Sequence, residues 1–225
     1  EHKGSALRGA LYHALRNRFC TMRDVTPECS SCLLWQACPV CALVSTLSAD
    51  NRTGRDAARP YTIQPPLDGV RTRYEPGESL VFGLTLYAEA LRLFPYVVMA
   101  LCALEEGGLG RALPENGWRR GAVAVESIWA ENPLTGEACE VLREDASAVS
   151  FPSLPITHKQ VLSVARRMQG ALRVEFLTPT RLVYRAGLVK PGNLRFSVLL
   201  ARLLDRLESL ARQFASPLEA PYAEL

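Results

Sequence analysis

The chain has 225 residues, of which 48% are hydrophobic and 22% are charged, a composition typical of a globular protein with one large or two small domains. Its net charge of +3 excludes a nucleic-acid binder held by total charge alone, and no apolar run is long enough to predict a membrane span. We recognise no secretory signal pattern and therefore expect a reducing, cytoplasmic compartment without membrane association. Only three of the 26 basic residues are lysines. This bias suits phosphate binding, although genomic base composition can produce the same bias.

The first predicted element is an amphipathic helix with Ser5 as its expected N-cap. Its apolar residues recur every three or four positions: Ala6, Leu7, Ala10, Leu11, Ala14, Leu15 and Phe19. The opposite face carries Gly9 and His13, and helical spacing places His13 beside Arg16 and Asn17. This face is either a candidate site, where Gly9 admits a close approach to the backbone, or an ordinary solvated surface.

A cysteine cluster follows within residues 20–41. Two C-x-x-C pairs supply its sulfur atoms: Cys29 with Cys32, and Cys38 with Cys41. Two such turns can complete a tetrahedral metal site, and four thiolates leave no open coordination position for water. The pattern therefore predicts a structural zinc clip, with an iron–sulfur cluster and disulfides as alternatives. Cys20 is a possible spare ligand, whereas Cys102 and Cys139 are isolated and are expected to be buried thiols.

The middle of the chain predicts a basic exposed loop at residues 48–56 and strands at 59–66 and 79–87. A helix is predicted at 96–106, with Pro95 in its first turn, where the missing N–H does no harm. It ends in a glycine-rich turn. Glycines in such a turn terminate a helix through positive φ, and they can also let a phosphate backbone come close.

The later part of the chain predicts a β-hairpin from residues 121–131 and 137–143, then a loop over 145–158. A short helix at 160–169 and a strand beginning at Gly170 follow. Asn193 is the expected N-cap of the last helix. The apolar stripe of that helix comprises Phe196, Leu199, Leu200, Leu203, Leu207, Leu210, Ala211 and Phe214.

This order of elements predicts an α+β fold. A strand before the first helix would complete the β-α-β-β-α-β order of a ferredoxin-like domain, with two helices on one face of a four-stranded sheet. We therefore predict a first ferredoxin-like domain over residues 1–158, with the metal clip as an insertion. Residues 159–225 are predicted to be the opening β-α part of a second ferredoxin-like domain.

Several stretches together resemble the CRISPR-associated RAMP superfamily, most closely its pre-crRNA processing endoribonucleases. They are KGSALRGALYHAL, CSSCLLWQACPVC, RPYTIQPP, EEGGLGR and LRVEFLTPTRL. The resemblance implies two tandem ferredoxin-like (RRM-like) domains that act in antiviral defence. It also implies cleavage of repeat RNA without metal, in which a ribose 2′-OH attacks the adjacent phosphate and leaves a cyclic phosphate.

The resemblance also implies roles for residues. His13 matches a catalytic histidine on the first helix of such enzymes, and His2 and His158 are weaker candidates. The candidate RNA contacts are Lys3, Arg8 and Arg16 on that helix and Gly107, Gly108, Gly110 and Arg111 in the glycine-rich turn.

CRISPR repeat RNA is the expected partner, with other CRISPR-associated proteins as further candidates. The glycine-rich loop near the C-terminus of such enzymes has no counterpart before Leu225, so we expect a piece of a longer protein. Two alternatives remain: a non-catalytic RAMP subunit that binds crRNA in an effector complex, and a zinc-clipped scaffold without an RNA role.

Overall fold

The structure is a computed structural model that describes residues 2–25, 28–45, 58–143, 146, 148–185 and 187–217. Helices alternate with short antiparallel strand pairs, which confirms the α+β class. The loop predicted at 48–56 lies outside the described residues. No helix among the residues that the structure describes is long and apolar enough to cross a bilayer.

The chain divides into two compact units. The larger unit comprises Glu1–Ala122 and Leu177–Leu225, and the smaller unit comprises Val123–Phe176. Both boundaries differ from the predicted division at residue 158. That division stays a prediction, because units defined by contacts need not coincide with ferredoxin-like repeats.

The helices and strands have the following bounds, in chain order: α1 Lys3–Phe19, β1 Tyr61–Gln64, β2 Gly83–Leu86, α2 Phe94–Cys102, α3 Leu104–Gly107, β3 Leu109–Leu113, β4 Arg119–Gly121, β5 Ser127–Asn132, β6 Glu137–Arg143, α4 His158–Arg167, β7 Val183–Tyr184, β8 Gly187–Leu188 and α5 Phe196–Phe214. Short 3-10 turns connect several of them. The predicted helices at both ends of the chain and the predicted hairpin are thus confirmed.

In the described part of the chain, each strand pairs only with one strand next to it in the sequence. In β1 and β2, Tyr61 lies opposite Leu86 and Gln64 lies opposite Gly83. The pairs β3–β4, β5–β6 and β7–β8 are also antiparallel and two-stranded. No four-stranded sheet forms within the described part of the chain, so the predicted ferredoxin-like arrangement is not confirmed.

Helix α1 lies at the centre of the larger unit, where it contacts α2, α3, β1 and β3. Its buried residues are Leu7, Ala10, Leu11, Ala14 and Leu15. Leu15 is fully buried, and the ring of Phe19 meets Tyr96 of α2 edge to face with centroids 5.1 Å apart. The predicted apolar stripe therefore does fix one face of α1 against the core.

The smaller unit contains the β5–β6 hairpin and α4. Asn132 ends β5 and is only 1% exposed. Its amide Nδ2 donates to the Pro155 carbonyl at 3.3 Å and to Oε1 of Gln160 at 3.4 Å, and its Oδ1 accepts from the Leu134 N–H at 3.0 Å. One buried amide thus joins the hairpin turn to the start of α4, because burying it unpaired would be costly.

Three predicted element boundaries were wrong. Helix α1 begins at Lys3 and not after Ser5, because the His2 carbonyl accepts the first helical hydrogen bonds. The last helix begins after Arg195, so Asn193 is not its N-cap. The predicted helix at 96–106 is interrupted at Ala103. An apolar stripe marks the buried face of a helix but not its first turn.

The strand predicted from Gly170 was also wrong. Residues 171–176 form no strand, and their side chains are all exposed. Alternation of apolar and polar residues indicates a strand only when a partner strand and a core are present, and the described residues supply neither here.

Candidate nucleic-acid interface

His13 lies on the solvent face of α1. Its side chain is exposed, whereas Ala14 and Leu15, the next two residues, are buried. The imidazole contacts the Tyr12 ring edge to face, with centroids 5.4 Å apart and an interplanar angle of 70°. The ring is therefore accessible to a ligand and is not sealed in the apolar interior.

Gly9 lies one helical turn before His13 and leaves open space there. A Cβ atom built on Gly9 would meet no atom within 4 Å. No other described part of the chain therefore makes the close approach to the Gly9 backbone that the sequence predicts. A ligand could come close to the helix backbone next to the imidazole.

Arg16, the predicted basic neighbour of His13, is held by the protein. Its Nη1 donates to the Tyr12 hydroxyl at 3.0 Å, and its Nη2 donates to the Arg23 carbonyl at 3.3 Å. The hydrogen bond with Tyr12 raises the pKa of the guanidinium. Arg16 thus links α1 to the turn that follows it, and a phosphate would have to compete with these partners.

Lys3 is also engaged. Its ammonium group forms an ion pair with Asp68 and donates to the Gly69 carbonyl at 3.3 Å. The hydrogen bond with Asp68 raises the pKa of Lys3 and lowers the pKa of the carboxyl group. The Tyr74 hydroxyl donates to the same carboxylate at 2.5 Å. Lys3 therefore anchors the loop that contains Asp68 to the start of α1. Arg8, by contrast, is exposed and forms no ion pair with any described residue.

The glycine-rich turn closes α3 and opens β3. Gly108 is the C-cap residue, with φ 64° and ψ 171°, which confirms the predicted role of glycine as a helix terminator. A Cβ atom on Gly108 would lie 2.8 Å from the Gly121 carbonyl oxygen, so β4 requires glycine there. Gly110 has φ 86° and open space around it, and Arg111 is exposed.

Helix α1 and the glycine-rich turn belong to one packed region. Helix α1 contacts both α3 and β3, and Arg18 reaches Glu106 with an N–O separation of 3.8 Å. His2 is exposed at the N-cap of α1. His158 begins α4 in the smaller unit.

The hairpin formed by β3 and β4 was missed by the sequence reasoning. Asn116-Gly117 lies at its tip, and such a pair is a strong short-range turn signal. The flanking strands are three to five residues long and lack a clear apolar alternation. The turn signal alone could have revealed them.

The cysteine cluster brings the turn Cys29–Ser31 against the segment Cys41–Ser45. Cys41 is buried, and its thiol interacts by hydrogen bonding with the thiols of Cys38 and Cys29. The hydrogen bond with Cys41 lowers the pKa of the Cys38 thiol to about 6. The same hydrogen bond, together with burial, raises the pKa of the Cys41 thiol. Cys32 is buried at the end of the 3-10 turn that begins with Cys29.

This donor set suits zinc chemically, because thiolates are preferred zinc ligands. In the ranges that the structure describes, however, no group of three or more His, Cys, Asp or Glu side chains has an arrangement that would hold a metal ion. The thiols are neighbours but do not form a finished tetrahedral site.

The fold and the interface together define the class of protein. It is an α+β protein whose central helix displays an accessible histidine and packs against α3 and β3, the elements that flank a glycine-rich turn. Residues 1–153 match the family AF_1859_N, described as an N-terminal domain, and because this match spans most of the chain, the chain belongs to that family. Neither the curated proteins nor the solved structures contain a significant match to it.

Proposed function

We propose that this chain is part of a CRISPR repeat-RNA endoribonuclease of the RAMP superfamily that cuts without metal. The observation that carries the proposal is the accessible imidazole of His13 next to the open backbone at Gly9. A general base must reach its substrate, and this imidazole can do so.

The proposed reaction uses His13 as the base. His13 accepts the proton of a ribose 2′-OH while the 2′ oxygen attacks the adjacent phosphorus. The bond from phosphorus to the 5′ oxygen then breaks, and that oxygen takes up a proton from water as it leaves. The products are a 2′,3′-cyclic phosphate and a 5′-OH. Arg8 and Arg111 are exposed cations that could neutralise phosphate charge.

A second candidate function is guide-RNA binding without cleavage. Lys3 and Arg16 are predicted phosphate contacts on α1, and side chains or carbonyls of the protein already bind both of them. Of the cations predicted on α1, only Arg8 then has no ion-pair partner among the described residues, and a base with few cations near it would stabilise a phosphorane poorly. This observation favours a non-catalytic RAMP subunit that binds crRNA in an effector complex.

Cleavage of labelled CRISPR repeat RNAs in EDTA distinguishes the two functions. We expect a cyclic-phosphate product with the wild-type protein, and His13→Ala should lower the rate by roughly 10²–10⁴-fold, as loss of a general base does. His2→Ala and His158→Ala are the matched controls and should cut normally. RNA that is bound but never cut would support the second candidate, and absence of binding at low salt would refute both.

We also propose that the larger unit contains a ferredoxin-like domain. In that arrangement the first strand of the β-α-β-β-α-β order lies between the third and the fourth strands. Here the third and fourth strands of that order correspond to β2 and β3. Among the described residues, β2 pairs only with β1 and β3 pairs only with β4, so each has one unpaired edge. Helix α1 contacts α2, β1 and β3, as expected if both helices cover one face of such a sheet.

Finally, we propose that Cys29, Cys32, Cys38 and Cys41 bind a structural zinc ion. The existing contacts between the thiols of Cys29, Cys38 and Cys41 support this assignment. Zinc would supply a cross-link between two turns and no chemistry of its own, since four sulfur ligands leave no position for water. An iron–sulfur cluster is the alternative occupant of the same residues.

A further inference from the structure

The tip of the β3–β4 hairpin carries a tryptophan in an unusual backbone conformation. Trp118 has φ 59°, directly after Gly117 with φ 61°. Bulky side chains rarely adopt positive φ, and such outliers concentrate at functional sites. The Trp118 side chain is also 73% exposed, so core packing does not explain its presence.

Local hydrogen bonds hold this tip in place. The Trp118 N–H donates to the Leu113 carbonyl at 2.9 Å, and the Gly117 N–H donates to the Pro114 carbonyl at 3.0 Å. The side-chain amide of Asn116 donates to the carbonyls of Arg119 and Arg120, each at 3.2 Å. The loop is therefore ordered before any ligand arrives, which lowers the entropic cost of binding.

The hairpin that carries Trp118 also carries three arginines. Arg119 and Arg120 follow it in β4, and Arg111 lies in the paired strand β3. None of the three forms an ion pair with a described residue, whereas Arg71 and Arg143 elsewhere do. The acidic neighbours are Glu115 at the tip and Glu105 and Glu106 of α3, and Glu106 is paired with Arg18.

A shallow concavity joins this tip to the glycine-rich turn. Its lining includes Trp118, Arg119 and Arg120, the glycines Gly107 and Gly108, and two carboxylates, Glu105 and Glu106. The surface thus combines an exposed aromatic ring, guanidinium groups without ion-pair partners among the described residues, glycine backbone and two acidic side chains. Single-stranded nucleic acid is bound by aromatic rings and cations together, with bases stacked on the rings and phosphates on the cations.

We propose that Trp118 stacks on one base of single-stranded RNA while Arg111, Arg119 and Arg120 bind the neighbouring phosphates. This inference rests on the proposed RNA function and extends it to a base-stacking contact outside the helix that carries His13. The stacking contact contributes to affinity and not to the chemical step.

Binding of fluorescein-labelled oligouridine RNA, measured by anisotropy at several salt concentrations, tests the proposal. We expect Trp118→Ala to weaken binding by roughly 5- to 100-fold, the usual effect of losing one base–aromatic stack, and Trp118→Phe to retain most of the affinity. Arg119→Gln should reduce the slope of log affinity against log salt by about 1. Trp129→Ala is the matched control, because Trp129 is exposed but lies in the smaller unit.

Trp118→Asn guards against misfolding, since asparagine tolerates positive φ. Folded Trp118→Asn protein that binds oligouridine as tightly as wild type overturns the proposal, as does an equal loss in Trp129→Ala. If RNA is cut but the Trp118 variants bind normally, only the stacking contact is refuted. If wild type binds no RNA at low salt, the proposed function and the stacking contact both fail.

Discussion

Replacing Gly108 with alanine should destabilise the larger unit strongly. With φ 64° and ψ 171°, Gly108 occupies a backbone region that is essentially restricted to glycine, and forcing another residue there costs about 1–3 kcal/mol. The new Cβ would also lie 2.8 Å from the Gly121 carbonyl oxygen, and relieving such an overlap typically costs roughly 1–3 kcal/mol more. We expect a loss of about 2–6 kcal/mol in the free energy of unfolding.

Two neighbouring glycines provide matched controls. Gly110 has φ 86° but open space, so Gly110→Ala should lose only the backbone cost of about 1–2 kcal/mol. Gly107 ends α3 with nothing within 4 Å of an added Cβ, so Gly107→Ala should be neutral or slightly stabilising. Urea denaturation followed by circular dichroism measures all three variants. The reasoning is refuted if Gly108→Ala unfolds within about 0.5 kcal/mol of wild type, where most surface substitutions fall, or is more stable than Gly110→Ala.

Three further predictions concern the elements around the interface. Leu15→Ala should lower the free energy of unfolding by about 3–5 kcal/mol, because Leu15 is fully buried in α1; a loss below about 1 kcal/mol in a urea titration would contradict that packing. The ion pair with Lys3 lowers the pKa of Asp68, so its stabilising effect is present above the unfolded pKa of about 3.9 and is lost as pH falls through the folded pKa. The melting temperature of wild type should therefore exceed that of Asp68→Asn near neutral pH and approach it in acid, and a constant difference across pH would count against the pair. Elemental analysis should find zinc in protein purified without chelator and much less in Cys38→Ser, with Cys102→Ser as the control; a metal-free wild type would exclude the clip.

The helices of this chain could be predicted because their signals are local. In α1 the apolar stripe has the right period, and five of its members are buried. The strands were harder, since a strand depends on a partner supplied by a distant part of the chain. Residues 171–176 alternate well but remain unpaired, whereas the short strands of the β3–β4 hairpin form around a turn whose residues satisfy one another. Sequence periodicity describes a surface that can be buried, and topology decides whether anything covers it.

The residues of the candidate site were predicted from their residue types. Residue type does not show which hydrogen-bond or ion-pair partners a side chain has within the protein. His13 is accessible as its position on α1 indicated. Lys3 and Arg16 occupy equally suitable positions, yet Asp68 and the Tyr12 hydroxyl engage them. A basic residue counts toward phosphate binding only when no carboxylate, hydroxyl or carbonyl of the same protein holds it, and that condition depends on tertiary contacts.

The distribution of held and free cations bears directly on what the interface can do. Lys3 and Arg16 have protein partners and lie on α1, the helix of the proposed base, whereas Arg8 on α1 and Arg111, Arg119 and Arg120 on the β3–β4 hairpin form no ion pair with the described residues. A cation must contact the reacting phosphate to stabilise its charge, but it can bind a neighbouring phosphate from further away. Under the proposed function, the hairpin therefore offers more cations for binding RNA than α1 offers for stabilising its transition state. If the chain does cut RNA, the reacting phosphate contacts either Arg8 or an Arg16 or Lys3 side chain that the bound strand has displaced from its partner. In the second case cleavage should respond to Tyr12→Phe or Asp68→Asn while binding to the hairpin does not.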